Sequence, residues 1–217
     1  MLKNIDAAIF DMDGTLVDSM WIWEKVDENF LKERNICFPK NLKEEINHLS
    51  FQGTVKYFKE RFNLDESLEE IEEIFTTMAY DEYKNHVTLK PGAKEFLQLL
   101  KSRGIKIGLA TSNSIPLLEV TLKNNGIYEY FDSITITNEV KRGKNFPDVY
   151  LLAAEKLGVS PNRCVVFEDI LPAVKGAKAA GMKVIAIHDK FAELEREEII
   201  KEAHKYINEY SEIIEAV

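Results

Sequence analysis

The stretch that decides the fold is FDMDGTLVDS, residues 10–19, which completes the short apolar run AAIF at residues 7–10. Its acids, Asp11 and Asp13, stand where a buried strand is predicted to end. Side chains two residues apart in an extended segment point to the same side, so both carboxylates can face one point beyond the strand. Gly14 then allows a sharp turn. The pattern suits a magnesium ion, which prefers carboxylate oxygens, but also a turn whose acids only cap loop amides.

The charge of the chain argues against nucleic acid and anionic membranes as partners. Its 217 residues carry a net charge of -9, and 45% of them are hydrophobic. A negative protein is not attracted to nucleic acid or to an anionic membrane surface, so neither is expected as a partner. No apolar run is long enough to span a bilayer, and the N-terminus lacks a secretory signal pattern. We therefore expect a cytoplasmic protein.

Short apolar runs alternate with helical patterns along most of the chain. The runs of strand length are residues 7–10, 105–110, 133–137, 164–167 and 183–187. Helical patterns occupy residues 92–102, 147–157 and 171–180, and the tail 204–217 is expected to add an edge strand and a last helix. This alternation predicts an α/β fold with a Rossmann-like parallel sheet, right-handed crossovers and a site at the carboxyl ends of the strands.

One segment, residues 17–88, breaks the alternation. It shows no convincing strand, and its apolar residues recur at helical spacing. The stripes are Ile22, Val26 and Phe30, followed by Leu68, Ile71, Phe75 and Met78. We predict a small all-α cap domain at 17–88, inserted into a core domain made of 1–16 and 89–217. An insert directly after the acidic pair can act as a lid over the strand ends.

A second acidic strand end supports the metal interpretation. The run at 164–167 is followed by Glu168 and Asp169. Parallel strands end at the same edge of a sheet, so Asp169 can complete a site with the first acids. Capping of the next helix by Asp169 is the alternative. Two acidic strand ends are difficult to explain by capping alone, and the metal site is favoured.

Two further segments carry candidate phosphate-binding groups. The run at 105–110 continues into Thr111–Ser114, and hydroxyls with free amides at a helix N-terminus form an anion site. Capping by Ser114 is compatible with that function. Lys144 lies in a loop before a helix opened by Pro147. A loop lysine is usually solvated, and Lys144 matters only if the loop folds back to the strand ends.

Four segments of the chain, taken in order, resemble the four motifs of the haloacid dehalogenase-like hydrolase superfamily. They are DMDGTLVDS, LATSN, GKNFPD and VVFED. The helical insert resembles the cap of its phosphatase and β-phosphoglucomutase branch. The resemblance spans roughly residues 5–187 and implies a magnesium-dependent phosphotransferase that passes through an aspartyl phosphate. Asp13 disfavours the dehalogenase branch, whose first motif lacks the second aspartate.

The resemblance also implies a role for each matching residue. Asp11 corresponds to the nucleophile and Asp13 to the general acid–base, while Lys144 offsets the clustered negative charge. The hydroxyl of Thr111 would bind the transferring phosphoryl group. The implied magnesium set is Asp11, the backbone carbonyl of Asp13, Asp169 and Glu168, the last either as a direct ligand or as a support.

The chain departs from the branch at Ile170 and Ala173, where the family usually has serine and glycine. Loss of the serine hydroxyl removes a hydrogen bond that could support the metal site. Alanine in place of glycine either narrows the turn or continues a helix. Because no directly acting residue is missing, we expect catalysis to be retained.

Phosphatase and mutase activities are both compatible with these motifs. A mutase needs a cationic anchor in the cap for a distal phosphate, but residues 48–58 contain no arginine, although Lys56 is nearby. Trp23 stands where β-phosphoglucomutases carry a histidine. We therefore expect a monomeric phosphatase of a small phosphorylated metabolite such as a sugar phosphate, with a hexose-phosphate mutase as the alternative.

A non-catalytic phospho-accepting module is the third class, and the lid-sized insert argues against it. The expected substrate-binding residues are Thr111, Ser112, Asn113, Lys144, Gln52 and Trp23.

Overall fold

Residues 4–46 and 51–214 are described by the computed structural model of the protein. The chain divides into two units. The first, the core unit, comprises the chain up to Met20 and from Val87 onward; the second, the insert unit, comprises Trp21–His86. None of the helices in the described ranges combines the length and apolar character needed to cross a membrane.

The strands of the core unit confirm the predicted parallel α/β fold. In chain order they are β1 (Ala7–Phe10), β2 (Val17–Asp18), β3 (Thr88–Leu89), β4 (Lys106–Thr111), β5 (Ser133–Ile136), β6 (Cys164–Glu168), β7 (Lys183–Ile187) and β8 (Lys205–Ile207). Six of them form one sheet in the order β5-β4-β1-β6-β7-β8, and every neighbouring pair in it is parallel. The first strand therefore lies in the middle of the sheet, between β4 and β6.

Helices follow the strands at the predicted places. The insert unit contains α1 (Ile22–Glu33), α2 (Leu42–Ile46), α3 (Phe51–Arg61) and α4 (Leu68–Asn85). The core unit contains α5 (Ala93–Ser102), α6 (Ile115–Asn124), α7 (Asp148–Leu157), α8 (Leu171–Ala179), α9 (Arg196–Glu202) and α10 (Ser211–Ile214). The edge strand and last helix expected in the tail are β8 and α10, and residues 215–217 of that prediction lie outside the described residues.

Strands β4 and β6 each extend one residue beyond the apolar run that predicts them. Both β4 and β6 take in the first polar residue, because their ladders continue through Thr111, paired with Ile136, and through Glu168, paired with Ala186. The backbone at these positions is thus held by the sheet. The polar side chains therefore start from fixed points at its edge.

The prediction that residues 17–88 contain no strand is wrong at both ends. Val17 pairs with Leu89 and Asp18 with Thr88, in an antiparallel ribbon of two residues on each side. Such a short ribbon shows no periodicity in the sequence, so no pattern could indicate it. It joins the points where the chain leaves the core unit and returns to it.

Helices cover both faces of the core sheet. Ala7 and Ile9 of β1 belong to an apolar cluster with α7 and α8. The alternate residue Phe10 stacks on Phe167 of β6, with ring centroids 4.5 Å apart. Two further rings, Phe96 of α5 and Tyr210, complete this aromatic cluster. Burial on both faces is typical of central parallel strands.

The insert unit has an aromatic core of its own. The rings of Phe30, Phe58 and Phe75 lie 4.7–5.8 Å apart in edge-to-face contacts. The predicted apolar stripes are buried except at two positions of α4: Leu68 is exposed because it opens the helix, and Met78 is half-buried because Ala79 takes the inward position. The function of this unit as a cap stays a prediction.

Candidate active site

Three carboxylates meet at the carboxyl edge of β1 and β6. Asp11, Glu168 and Asp169 are all buried, and each offers an oxygen within 4.8 Å of the others. The backbone places them: the N–H of Asp11 donates to Phe167 O at 3.0 Å, which carries the pairing of β1 and β6 one residue beyond the strand. The two acidic strand ends thus lie at one point of the sheet edge.

Lys144 is folded into the same point. Its ammonium contacts Asp11 Oδ1 and lies 2.6 Å from Glu168 Oε1, and its side chain is buried. The supporting contact is made by Gly176 of α8, where a Cβ would overlap the carbonyl oxygen of Lys144 and lie 2.9 Å from that of Phe146. The loop backbone therefore rests directly on the helix. The condition set by the sequence, that this loop folds back to the strand ends, is met.

Burial and mutual repulsion shift the titration of this cluster. Burial raises the pKa of Asp11 to about 8, with Lys144 opposing the rise and Glu168 and Asp13 adding to it. Burial, with repulsion from Asp11 and Glu168, also holds the pKa of Asp169 well above its usual range. The pKa of Lys144 is raised, because attraction by Asp11 and Glu168 outweighs the opposing effect of burial. One ammonium does not offset three ionised carboxylates, so the cluster holds protons more tightly than isolated carboxylates do, or binds a further cation in their place.

The donor set fits a hard divalent cation. Glu168 Oε1 is engaged by Lys144 and by the hydroxyl of Tyr150 at 2.8 Å, while Oε2 is buried with no hydrogen-bond partner among the described residues. Asp169 Oδ1 accepts a hydrogen bond from Thr15 at 2.9 Å. Carboxylate oxygens that are buried, oriented and only partly satisfied are suitable ligands for magnesium.

The turn at Gly14 lies directly against the cluster. Its φ of 78° is in the left-handed region, and a Cβ here would overlap Asp169 Oδ2. Glycine is needed for both reasons. The N–H of Gly14 donates to Val17 O at 2.9 Å, and Tyr210 donates to Thr15 O at 3.2 Å, which fixes the loop between β1 and β2.

The carboxylate of Asp13 lies outside the acidic trio. It accepts hydrogen bonds from Ser19 at 2.6 Å and from the Asn113 side chain at 2.9 Å. The predicted participation of Asp13 in a metal site with Asp11 stays a prediction. The side chain of Asp13 is half-buried.

Thr111 and Asn113 form the neighbouring wall of the site. Thr111 is buried at the end of β4, and its Oγ1 accepts a hydrogen bond from the N–H of Asn113 at 3.0 Å. Ser112 is exposed. Ser114 occupies the N-cap of α6, but its hydroxyl makes no capping hydrogen bond, and the Asn113 side chain accepts from its N–H instead. Capping by the Ser114 hydroxyl is thus not observed.

The alternative function of Asp169 as a helix cap is also not observed. Ile170 occupies the N-cap of α8, and Ala173 is buried inside that helix. Alanine here continues the helix. The hydroxyl that supports Asp169 comes instead from Thr15, on the loop after β1.

The two candidate residues of the insert unit are both exposed. Trp23 on α1 is 38% exposed, with its ring 5.5 Å from that of Phe51. Gln52 lies on α3. The nearby Lys56 is solvated and faces Glu60 at 3.8 Å. Their part in substrate binding stays a prediction.

A parallel α/β sheet with two acidic strand ends and a buried lysine defines a class of hydrolase, and comparisons with known proteins agree. Residues 5–181 match the family described as haloacid dehalogenase-like hydrolase, and the chain belongs to that family. The prediction of an enzyme of its phosphatase and β-phosphoglucomutase-like branch is confirmed by this match and by the relatives.

Two curated relatives are named as phosphatases. The chain is 30% identical over 181 residues to "Phosphorylated carbohydrates phosphatase" of Thermotoga maritima, covering 83% of this chain and 84% of that protein. It is 33% identical to "Hexitol phosphatase A" of Escherichia coli, covering 83% and 82%. Among solved structures, a putative beta-phosphoglucomutase from Thermotoga maritima is similar with a TM-score of 0.80, 28% identity and 94% coverage of both chains.

Proposed function

We propose that the protein is a magnesium-dependent phosphatase of a small, sugar-phosphate-like metabolite, acting through an aspartyl phosphate on Asp11. The observation that carries the proposal is the buried cluster in which Asp11 contacts Lys144 beside Glu168 and Asp169. The relatives named for phosphorylated carbohydrates and hexitols support the substrate class.

Asp11 is the proposed nucleophile. Its carboxylate oxygen forms a bond to phosphorus while the bond from phosphorus to the substrate oxygen breaks. Magnesium, held by Asp11, Glu168, Asp169 and the backbone carbonyl of Asp13, would supply positive charge against the phosphoryl oxygens. Lys144 contributes a second positive charge, because its Nζ contacts Asp11 and Glu168.

Asp13 is the proposed general acid and base. An alkoxide leaves poorly unless it is protonated, so the Asp13 carboxyl donates a proton to the departing oxygen. It then accepts a proton from the water that attacks phosphorus, and Asp11 is released with inorganic phosphate. The hydrogen bonds from Ser19 and Asn113 hold the carboxyl in place for both steps.

Thr111 and Ser112 are the proposed phosphate-binding residues. The Thr111 oxygen already accepts from the N–H of Asn113, so its own hydrogen is left to donate to a phosphoryl oxygen. Ser112 is exposed beside it at the N-terminal side of α6, where anions are favoured.

The insert unit is proposed to act as the cap that selects the substrate, with Trp23 and Gln52 as contact residues. We further propose that the enzyme works as a monomer in the cytoplasm. A hexose-phosphate mutase remains the second candidate, favoured by the likeness to the putative beta-phosphoglucomutase structure. Transfer of isotope label between sugar positions, with little free phosphate, would identify the mutase.

The proposal is tested by phosphate release from sugar phosphates, nucleotides and para-nitrophenyl phosphate, with magnesium and with chelator. Asp11→Asn should lower turnover by roughly 10³-fold or more, since it removes the nucleophile and keeps the shape. The exposed Asp81→Asn on α4 is the matched control and should behave as wild type. Turnover that survives Asp11→Asn would contradict the covalent mechanism.

A further inference from the structure

Tyr150 reaches the acidic cluster from the helix beside it. The residue lies on α7, is fully buried, and donates its hydroxyl to Glu168 Oε1 at 2.8 Å. The same oxygen lies 2.6 Å from the Lys144 ammonium. Glu168 thus has one oxygen held by two donors, while its other oxygen is buried and has no hydrogen-bond partner in the described ranges 4–46 and 51–214.

We propose that Tyr150 is a positioning residue that fixes the Glu168 carboxylate so that Oε2 is presented to the metal ion. This inference rests on the proposed metal-dependent function. A buried carboxylate with a single donor can turn about its last torsion, which is soft for glutamate, and exchange its two oxygens. A second donor on Oε1, which comes from helix α7 and not from the Lys144 loop, opposes that rotation.

The chemistry of the donor also matters. A phenol is neutral, so it orients the carboxylate without reducing the negative charge that attracts a divalent cation. Another ammonium in the same place would fix the oxygen equally well but would repel the ion. Lys144 shares Oε1 with this hydroxyl and also contacts Asp11.

Magnesium binding to the metal-free protein, measured by calorimetry, tests this directly. Tyr150→Phe keeps the buried ring and removes only the hydroxyl. Magnesium should bind roughly 10–100-fold more weakly, as is typical when a group that orients a metal ligand is lost. The activity of Tyr150→Phe should recover at high magnesium concentration. Relative to wild type, the magnesium concentration that gives half-maximal activity should therefore change by a larger factor than turnover at saturating magnesium does.

A double-mutant cycle with Glu168→Gln separates positioning from packing. If Tyr150 acts through Glu168, Tyr150→Phe should cause no further loss of magnesium binding in the Glu168→Gln background. An equal loss in both backgrounds would show a packing effect and overturn the inference. Tyr206→Phe, which removes a hydroxyl bonded to His188, is the matched control and should bind magnesium as wild type does.

The remaining outcomes are distinct. If the wild type binds magnesium and Tyr150→Phe binds it with the same affinity, the inference is overturned and the proposed function stands. No magnesium binding by the wild type overturns both. Should Tyr150→Phe fail to fold, 3-fluorotyrosine at position 150 gives a second measurement: its fluorine resonance should shift when magnesium is added, and an unchanged resonance contradicts the role.

Discussion

Both units bury carboxylates, and Asp11 in the core unit and Asp27 in the insert unit lie in different surroundings. In the core unit, Asp11 and Glu168 share the Lys144 ammonium. In the insert unit, Asp27 on α1 is buried, and burial raises its pKa to about 7, with Glu24 and Glu28 adding repulsion. Burial and like charges alone shift the pKa of Asp27. The core carboxylates, in contrast, accept hydrogen bonds from the Lys144 ammonium and from hydroxyl groups.

The difference indicates which buried charges have a chemical use. The core carboxylates are costly to bury, but they are oriented by Lys144, Tyr150 and Thr15 around a common point. A buried acid without such donors costs free energy of folding when it ionises. We therefore expect changes in the core to affect activity first and a change at Asp27 to affect stability alone.

Among the three changes that test this comparison, the largest effect is expected for Asp13→Ala. Loss of the general acid should lower turnover of alkyl phosphates by roughly 10²–10⁴-fold. Aryl phosphates with good leaving groups should still phosphorylate Asp11, because their departure needs no proton. Rapid-quench measurement of phosphoenzyme checks this, with Ser19→Ala as the variant that keeps the carboxyl and removes one of its donors. Equal loss with alkyl and aryl substrates would argue against the acid–base role.

An intermediate effect is expected for Gly176→Ala. Alanine favours the helix by about 1 kcal/mol over glycine, but here its Cβ would overlap the carbonyl of Lys144. The loop must shift and move the ammonium away from Asp11, so turnover should fall by about tenfold or more, since each 1.4 kcal/mol of lost stabilisation is tenfold.

The exposed neighbour Lys175→Ala, on the same helix, is the control for Gly176→Ala and should keep wild-type turnover. Thermal unfolding of both variants separates a loss of activity from a loss of fold. Unchanged turnover in Gly176→Ala would show that the Lys144 loop adapts, and would weaken the contrast between a fixed core site and the insert.

The smallest effect is expected for Asp27→Asn, and it depends on pH. The folded pKa of about 7 lies above the ordinary value of 3.8, so the folded state holds the proton more tightly. The stabilisation from this proton is fully present below about pH 4 and is lost as pH rises through 7. The variant should therefore gain stability over wild type increasingly from pH 5 to pH 8.

Urea unfolding midpoints at the two pH values measure this difference for Asp27→Asn. Glu28→Gln, an exposed neighbour, serves as the control and should show a smaller change. The same stability difference at both pH values would contradict the raised pKa. Loss of turnover in Asp27→Asn at pH 8 would show that the buried acid of the insert unit has a chemical use after all.

Strand ends were the most informative feature of the sequence. Asp11, Glu168 and Asp169 follow apolar runs directly, so sheet geometry alone brings them together. Lys144 could be named only conditionally, because the contact that fixes its loop is made by Gly176, thirty-two positions further along the chain.

Other features leave no local signal. Thr15 and Tyr150 are ordinary residues of a loop and a helix, and their hydrogen bonds depend on tertiary packing. Asp27 adjoins the apolar stripe of α1, and whether such a residue is buried depends on what covers that helix. The β2–β3 ribbon is too short to show a period.

Tyr210 has a consequence for biosynthesis. Its ring packs on Phe96 and Phe167 under the sheet edge, and its hydroxyl donates to Thr15 O, 195 residues earlier in the chain. The loop that follows the nucleophile therefore obtains this contact only when residue 210 has left the ribosome. A nascent chain can form β1, β4 and β6 before then, but the loop beside its acidic cluster lacks this hydrogen bond until residue 210 has emerged.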